Sequence, residues 1–131
     1  MDCSGSPDSY DDFHMSEFIP VNSVHVTQCY WDYPKFDYTL AIARPYGWVF
    51  GIPLQNRCSI GYLYNNNVTS YEEACQHFSE LKGIDATKLR SMSWRQYYRK
   101  KIVDNRIFYL GNKLYFFEPL YAMPLHYYSI M

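Results

Sequence analysis

The apolar positions of this chain recur first with a period of two. From Val21, residues Val24, Val26, Gln28 and Tyr30 fall on one side of an extended chain, and His25, Thr27, Cys29 and Trp31 on the other. "WDYPK" turns the chain, because Pro34 has no N–H to give to a ladder. Phe36, Tyr38, Leu40 and Ile42 then alternate with Asp37, Thr39, Ala41 and Ala43, which predicts a half-buried strand. "RPYG" is a turn. "WVFGIPLQ" sets Trp48, Phe50, Ile52 and Leu54 on one face, expected to be buried. Gly47 and Gly51 fall on the other face, where they leave room for a ligand or a backbone. "CSIGYLY" is a further short strand. Four strands with short connections predict an antiparallel sheet over residues 21–65.

The period changes at "NNNVTSYEEACQHFSELKG". Ser70 and Glu73 stand at capping-box spacing. Tyr71, Ala74, Cys75, Phe78 and Leu81 then share one helical face, with Gly83 as the stop. His77 falls on the polar face and is given no role. Asp85 to Arg90 reads as a second short helix, completing a helical segment over 69–90. "SMSWRQYYRKK" opens the returning strands of 91–110 and reads as one strand, with Met92, Trp94, Gln96 and Tyr98 opposite Arg95, Tyr97 and Arg99. Arg99, Lys100 and Lys101 are expected to be a solvated strand end rather than a phosphate site. Arg106 to Leu110 reads as a short last strand. Residues 1–20 are polar, with Asp8, Asp11 and Asp12, and read as a loop; 111–131 read as a loop followed by a helix. The expected fold class is α+β, an antiparallel β-sheet with one or two helices in a single partial domain, 1–131.

Composition narrows the function. At 48% hydrophobic and 19% charged, 131 residues suffice to bury a core. A net charge of −1 supplies no general attraction to nucleic acid or to an anionic membrane. No apolar run approaches the roughly 20 residues that span a bilayer, and "MDCSGSPDSYDD" is no secretory signal, so a cytoplasmic chain is expected. Cys3, Cys29, Cys58 and Cys75 are scattered and His14, His25, His77 and His126 are unpaired, so no metal site is expected and the thiols read as reduced. Aromatic residues make up 20% of the chain. They suit a sheet core, and equally the walls of a pocket for a flat ligand. Catalytic triads, a P-loop and G-x-G-x-x-G are all absent from the sequence.

The stretch "GNKLYFFEPLYAMPLHYY" places Glu118-Pro119 inside an apolar run, where neither a strand nor a mid-helix position favours it. Gly111 admits close approach of a backbone or ligand, and Asn112 offers both a donor and an acceptor to a hydroxyl. Pro119 suits a first helical turn, whose free N–H groups attract an electron-rich group; Glu118 reads equally as the cap of that helix. "DCSG", "WVFGIP", "RCSIGYLY", "SYEEACQHF" and "YLGNKLYFFEPLYA" occur here in one order. Together they resemble the D-x-S-G turn, the W-x-W-x-I-P motif, the R…GY-x-Y run, the acidic helix and the "IGNAAGFVEPLEAT" segment of the flavin-dependent tryptophan halogenase family.

The resemblance implies a middle piece of a longer flavin-binding α/β chain, related to aromatic hydroxylases, with an inserted antiparallel sheet on the substrate side. It implies FAD as cofactor in the complete protein, held in part by Gly111, Asn112, Glu118, Pro119 and Leu120. Trp48, Phe50 and Tyr121 fall on the substrate side. Implied partners are an aromatic small molecule such as tryptophan, a halide, and a separate flavin reductase. No catalytic residue carries over, because the family's glutamate position is Tyr121 here and the next positions are Ala122 and Met123. Phe50 keeps the bulk of the family's second tryptophan but loses an indole N–H. Two other readings stand beside a halogenase: a flavin monooxygenase without halide use, and a non-catalytic aromatic-rich α+β binding module. Because the dinucleotide-gripping glycine loop is missing, the isolated chain is expected to be inactive and not to retain FAD. Gel filtration of a mixture with FAD checks this, and a stoichiometric yellow protein peak contradicts it.

Overall fold

The computed structural model describes residues 7, 9–32, 34–81 and 83–117. Its strands are β1 Phe13–Met15, β2 Ser23–Tyr30, β3 Leu40–Arg44, β4 Gly47–Leu54 and β5 Arg57–Tyr64. Then come helix α1 Tyr71–Ser79 and strands β6 Arg90–Ser93, β7 Tyr97–Arg99, β8 Val103–Asp104, β9 Ile107–Phe108 and β10 Tyr115–Phe116. Single 3-10 turns occupy Ala86–Lys88 and Gly111–Lys113. The chain divides into two compact units, Pro20–Trp94 and Met1–Ile19 with Arg95–Met131. The architecture is the expected α+β one, antiparallel sheet with one α-helix among the described residues.

In the unit Pro20–Trp94 the sheet runs β3-β4-β5-β2-β6, every pair antiparallel. Directly paired residues share a face. One face therefore collects Val49 from β4, Ile60, Tyr62 and Tyr64 from β5, and Ser23, His25 and Thr27 from β2. Helix α1 packs here through Ala74 and Phe78, both fully buried with Tyr62. Burying a side chain the size of Phe78 is worth about 1.5–3 kcal/mol. The helix starts where the sequence places its cap: Glu73 N–H donates to Ser70 Oγ at 3.1 Å and Ser70 N–H donates to Glu73 Oε2 at 2.9 Å. It ends at Ser79, before Gly83, and Asp85 caps the 3-10 turn that follows by accepting from Thr87 N–H.

Three strand expectations change. The face of Trp48, Phe50, Ile52 and Leu54 is not the buried one: Val49 and Gly51 are buried, whereas Ile52 is 44% and Leu54 38% exposed. The reason is that α1 covers the Val49 face, and period-two alternation does not say which face a helix will choose. β3 begins only at Leu40 and is an exposed edge strand rather than a half-buried one. The run "SMSWRQYYRKK" is two strands in two sheets: β6 ends at Ser93, Trp94 N–H makes one more bond to Asn22 O at 2.9 Å, and β7 starts at Tyr97. The glycine expectation of a close backbone holds at Gly47, while Gly51 meets side chains. A Cβ at Gly47 would fall on the Leu63 carbonyl, and one at Gly51 would lie 3.3 Å from the Leu40 side chain.

In the other unit β7 is the middle strand, flanked by β1 and β10, and β8 and β9 form a separate hairpin. The N-terminal stretch expected as loop therefore contributes a strand, β1, whose Phe13 is buried. The hairpin turns at Asn105, which holds a φ of 54°.

His25 is fully buried. Its Nε2–H donates to the Tyr71 carbonyl at 3.3 Å, which leaves Nδ1 to accept from Ser91 Oγ–H at 2.6 Å. The rings of Tyr64 and Tyr71 lie 4.8 and 4.7 Å from it. This pairing fits a neutral imidazole. Desolvation holds its pKa below the ordinary 6.5, although the Tyr71 carbonyl works the other way. The sign follows from linkage: as pH falls below about 6.5 the unfolded chain takes up a proton that the folded chain resists. The stability present above that pH is lost progressively toward the lower, folded pKa. Urea melts between pH 7 and 5 are expected to show a falling midpoint, with a weaker slope in His25→Gln. Equal slopes in both chains contradict the assignment.

Candidate functional site

Trp48 and Phe50 sit on the sheet face that α1 leaves uncovered. Phe50 is paired across the ladder with Ala41 on β3 and Gly61 on β5, and Gly61 in turn with Val26 on β2. The Phe50 ring extends over Gly61: a Cβ there would run into ring atom Cε1 and lie 3.0 Å from Val26 Cγ1. A glycine directly opposite an aromatic residue gives the ring a flat bed that no larger side chain allows. Trp48 meets Phe50 edge-on, with centroids 6.2 Å apart at 60°. Both remain half-exposed. Around Phe50 the neighbours Ala41, Gly61 and Val26 carry no ionisable group. This part of the face can stack and desolvate a flat ligand but cannot move protons. Toward the far end of β2 the sheet borders a hollow of about 330 Å³ reached by Gln28, Tyr30, Ser59, Lys88 and Arg90.

The glycine–asparagine pair lies in the other unit. It does not end a strand as expected, since β9 stops at Phe108, but forms a 3-10 turn. Gly111 takes a φ of 61°, a conformation costly for any residue with a Cβ. Leu114 N–H closes the turn on the Gly111 carbonyl at 2.9 Å, and Tyr97 O–H donates to the Asn112 carbonyl at 2.8 Å. Buried Tyr97 is itself held edge-on by Phe13, 5.2 Å away at 83°, and by Tyr10 at 5.5 Å. The backbone of Asn112 is thus fixed from below. Its side-chain amide makes no hydrogen bond to a described residue and keeps both a donor and an acceptor for a ligand. That geometry, a turn without a Cβ beside an amide, can admit a hydroxyl-bearing ligand.

Arg99 departs from the solvated strand end expected of it. Its guanidinium lies 3.5 Å from the Tyr109 ring centroid and 5.0 Å from that of Phe13, and pairs with Asp12 at 3.3 Å. Lys100 donates through Nζ to the Asp11 carbonyl at 2.7 Å. These cations tie down the acidic N-terminal stretch. Sequence spacing carries no sign of that, because the partners stand 87 positions apart.

Of the residues singled out from sequence, Trp48 and Phe50 are adjacent on one strand face, and Gly111 and Asn112 share one turn in the other unit. Glu118, Pro119, Leu120 and Tyr121 lie outside the described residues. Sequence patterning does not single out Gly61, Tyr97 or Arg99 as residues that shape a site. Gly61 alone carries a signal, its place in "GYLY" directly opposite Phe50 once the hairpin is registered. Among the described residues no group of three or more His, Cys, Asp or Glu is placed to hold a metal. No helix among them is long and apolar enough to cross a membrane.

An antiparallel sheet with one covering helix matches the architecture that the halogenase motifs imply. The tryptophan halogenase family model matches residues 8–130, and the chain belongs to that family. Solved structures agree. A flavin-dependent halogenase from Xanthomonas campestris superposes with a TM-score of 0.79 at 23% identity, covering 90% of this chain and 24% of that one. A tryptophan halogenase from Shewanella frigidimarina gives 0.78 at 27% identity over 87% of this chain and 23% of that one. A tryptophan 6-halogenase from Streptomyces toxytricini gives 0.77 at 25% identity, with 88% and 24% covered. The chain thus spans about a quarter of the length of each.

If Gly61 exists to seat the Phe50 ring, Gly61→Ala lifts the ring and costs about 1–3 kcal/mol. In a Phe50→Ala background the same substitution should be nearly neutral. Urea melts of the four chains of this cycle measure the coupling, and an undiminished cost in that background contradicts the ring-on-glycine arrangement.

Proposed function

We propose that this chain is part of a flavin-dependent halogenase-like oxidoreductase, acting in the complete protein on an aromatic substrate such as tryptophan. The match of the tryptophan halogenase family model over residues 8–130 carries the reading. It is supported by the WVFGIP strand lying in an antiparallel sheet with its aromatic pair exposed to a ligand. In the complete protein FAD, when bound, supplies the oxidation of halide by oxygen. This chain's residues bind and orient. Gly111 lets the cofactor approach the backbone, and the Asn112 amide satisfies one of its hydroxyls. Glu118, Pro119 and Leu120 complete that edge. Trp48 and Phe50 offer the substrate ring a stacking surface, and excluding water there keeps the oxidant for the ring. A cytoplasmic setting and a separate flavin reductase belong to the same reading, as does inactivity of the chain alone.

One observation favours a second reading, a flavin monooxygenase without halide use. Tyr121 offers no carboxylate where the family has its glutamate, Met123 offers no hydroxyl, and Pro124 offers no backbone N–H to an anion. A non-catalytic binding module stands as the third reading. Bromide- or chloride-dependent product formation from tryptophan by a complete parent protein separates halogenation from both.

The cofactor edge is tested within such a parent. Asn112→Leu should weaken FAD binding by about 1–3 kcal/mol, because a buried hydroxyl loses its partner. Tyr121→Ala should leave FAD affinity nearly unchanged, since Tyr121 stands at a substrate-side position. Fluorescence titration of FAD reads both. Loss of binding in Tyr121→Ala with retention in Asn112→Leu contradicts this assignment of residues.

A further inference from the structure

Two thiols stand opposite one another across the middle of the sheet. Cys29 on β2 and Cys58 on β5 are register partners, and both are free. Opposed residues of an antiparallel pair share a face, and the bond from Trp31 to Asn56 two positions away makes this a hydrogen-bonded pair, with Cα atoms about 5.5 Å apart. A disulfide bridges Cα separations of roughly 4.4–6.8 Å. The register is fixed close by, where Trp31 N–H donates to the Asn56 carbonyl at 3.1 Å. Each thiol has its own carbonyl acceptor, Gly83 O at 3.3 Å for Cys29 and Ser59 O at 3.6 Å for Cys58. A thiol is a weak donor, so side-chain rotation at the two residues gives up little. Their exposure differs in a useful way: Cys29 is half-exposed and Cys58 only 4% exposed, so a solution oxidant meets Cys29 first.

We propose that Cys29 and Cys58 form a modification site, at which a peroxide converts the pair into a cross-strand disulfide joining β2 to β5. Cys29 gives up its proton, and its sulfur attacks one oxygen of hydrogen peroxide. The O–O bond breaks, and hydroxide leaves with the proton as water. Cys29 is then a sulfenic acid. The Cys58 sulfur attacks the Cys29 sulfur, the S–O bond breaks, and the hydroxyl leaves with the Cys58 proton as a second water. Two thiols are oxidised by two electrons and one peroxide is reduced to two waters. Burial pushes both thiols above their ordinary pKa, with Lys35 drawing Cys29 partly back and a backbone hydrogen bond at Ile52 drawing Cys58 partly back, and it is exposure that makes Cys29 the first to meet the oxidant. The half-exposed Cys75 on α1 has no thiol opposite it in the sheet.

The test treats the purified chain with stoichiometric hydrogen peroxide and maps its peptides without reduction. The expected result is loss of two hydrogens in intact mass and one linked peptide containing Cys29 and Cys58. A raised urea midpoint that dithiothreitol reverses should accompany it. Cys29→Ser abolishes the link and the midpoint shift, while a chain with both Cys3→Ser and Cys75→Ser keeps them. Oxidation of the wild-type chain in urea gives mixed linkages, because only the folded register selects this pair. A link between other cysteines, a bridge between two copies, or Cys29 driven to sulfinic acid beside a free Cys58 thiol overturns the proposal. So does an equal yield of the same link from the folded and the urea-unfolded chain.

Discussion

The ring of Phe78 lies 6.2 Å from that of Tyr62, and this contact between α1 and the central strand decides what the rest of the sheet can do. A sheet has two faces, and one short helix can cover only one of them. Phe78 and Ala74 commit α1 to the face of Val49, Tyr62 and Tyr64. Everything that alternates with those residues is thereby left on the other side: Trp48, Phe50, Ile52 and Leu54 on β4, Val26 on β2. The core and the candidate ligand face are the same strands read one residue out of phase. Burial of His25 beside Tyr64 and Tyr71 follows from the same commitment, which is why a polar side chain is fully enclosed and why it is paired at both ring nitrogens.

Much of this is legible in the order of residues alone. Period two locates β2, β4 and β5, and the Ser70–Glu73 spacing places the start of α1 to the residue, because a capping box is a local device that no distant contact overrides. What alternation cannot carry is the choice between two faces that are both largely apolar. Trp48, Phe50, Ile52 and Leu54 are a more hydrophobic set than Gly47, Val49, Gly51 and Pro53. A reading by side chain alone therefore buries the wrong one. The helix packs on the face that carries Val49, Tyr62 and Tyr64, and the pattern of β4 alone does not say so. The split between β6 and β7 is hidden for a related reason. No glycine or proline marks Trp94 to Gln96, and two short strands with a continuous phase look like one long one. Arg99 illustrates the third kind of failure. Its partners Asp12 and Phe13 stand far before it in the chain and Tyr109 stands ten residues after it, so a run of three cations reads as solvated although its first member is enclosed by rings.

The candidate site is legible in identity more than in shape. Motif resemblance picks out Trp48, Phe50, Gly111 and Asn112, and the geometry adds what each rests on. The Gly111–Asn112 turn is not a loose loop end. It is supported by Tyr97, which is pinned by Phe13 from β1, a strand whose polar surroundings in the sequence give no sign of it. Such support holds the backbone of the turn in one place, where an unsupported segment would drift.

The replacement of a tryptophan by Phe50 gains meaning from Gly61. An indole at this position would carry an N–H wanting a partner, and the immediate neighbours Ala41, Gly61 and Val26 offer only hydrocarbon and backbone already engaged in the ladder. A phenyl ring makes no such demand. It extends over the glycine, where a Cβ would meet ring atoms Cε1 and Cζ. With Phe50 at this site, the face offers shape and dispersion rather than a directed hydrogen bond. The cations of this face stand away from the aromatic pair in the ladder: Arg57 is paired with Leu54, and Lys88 and Arg90 border the hollow beside Gln28 and Tyr30.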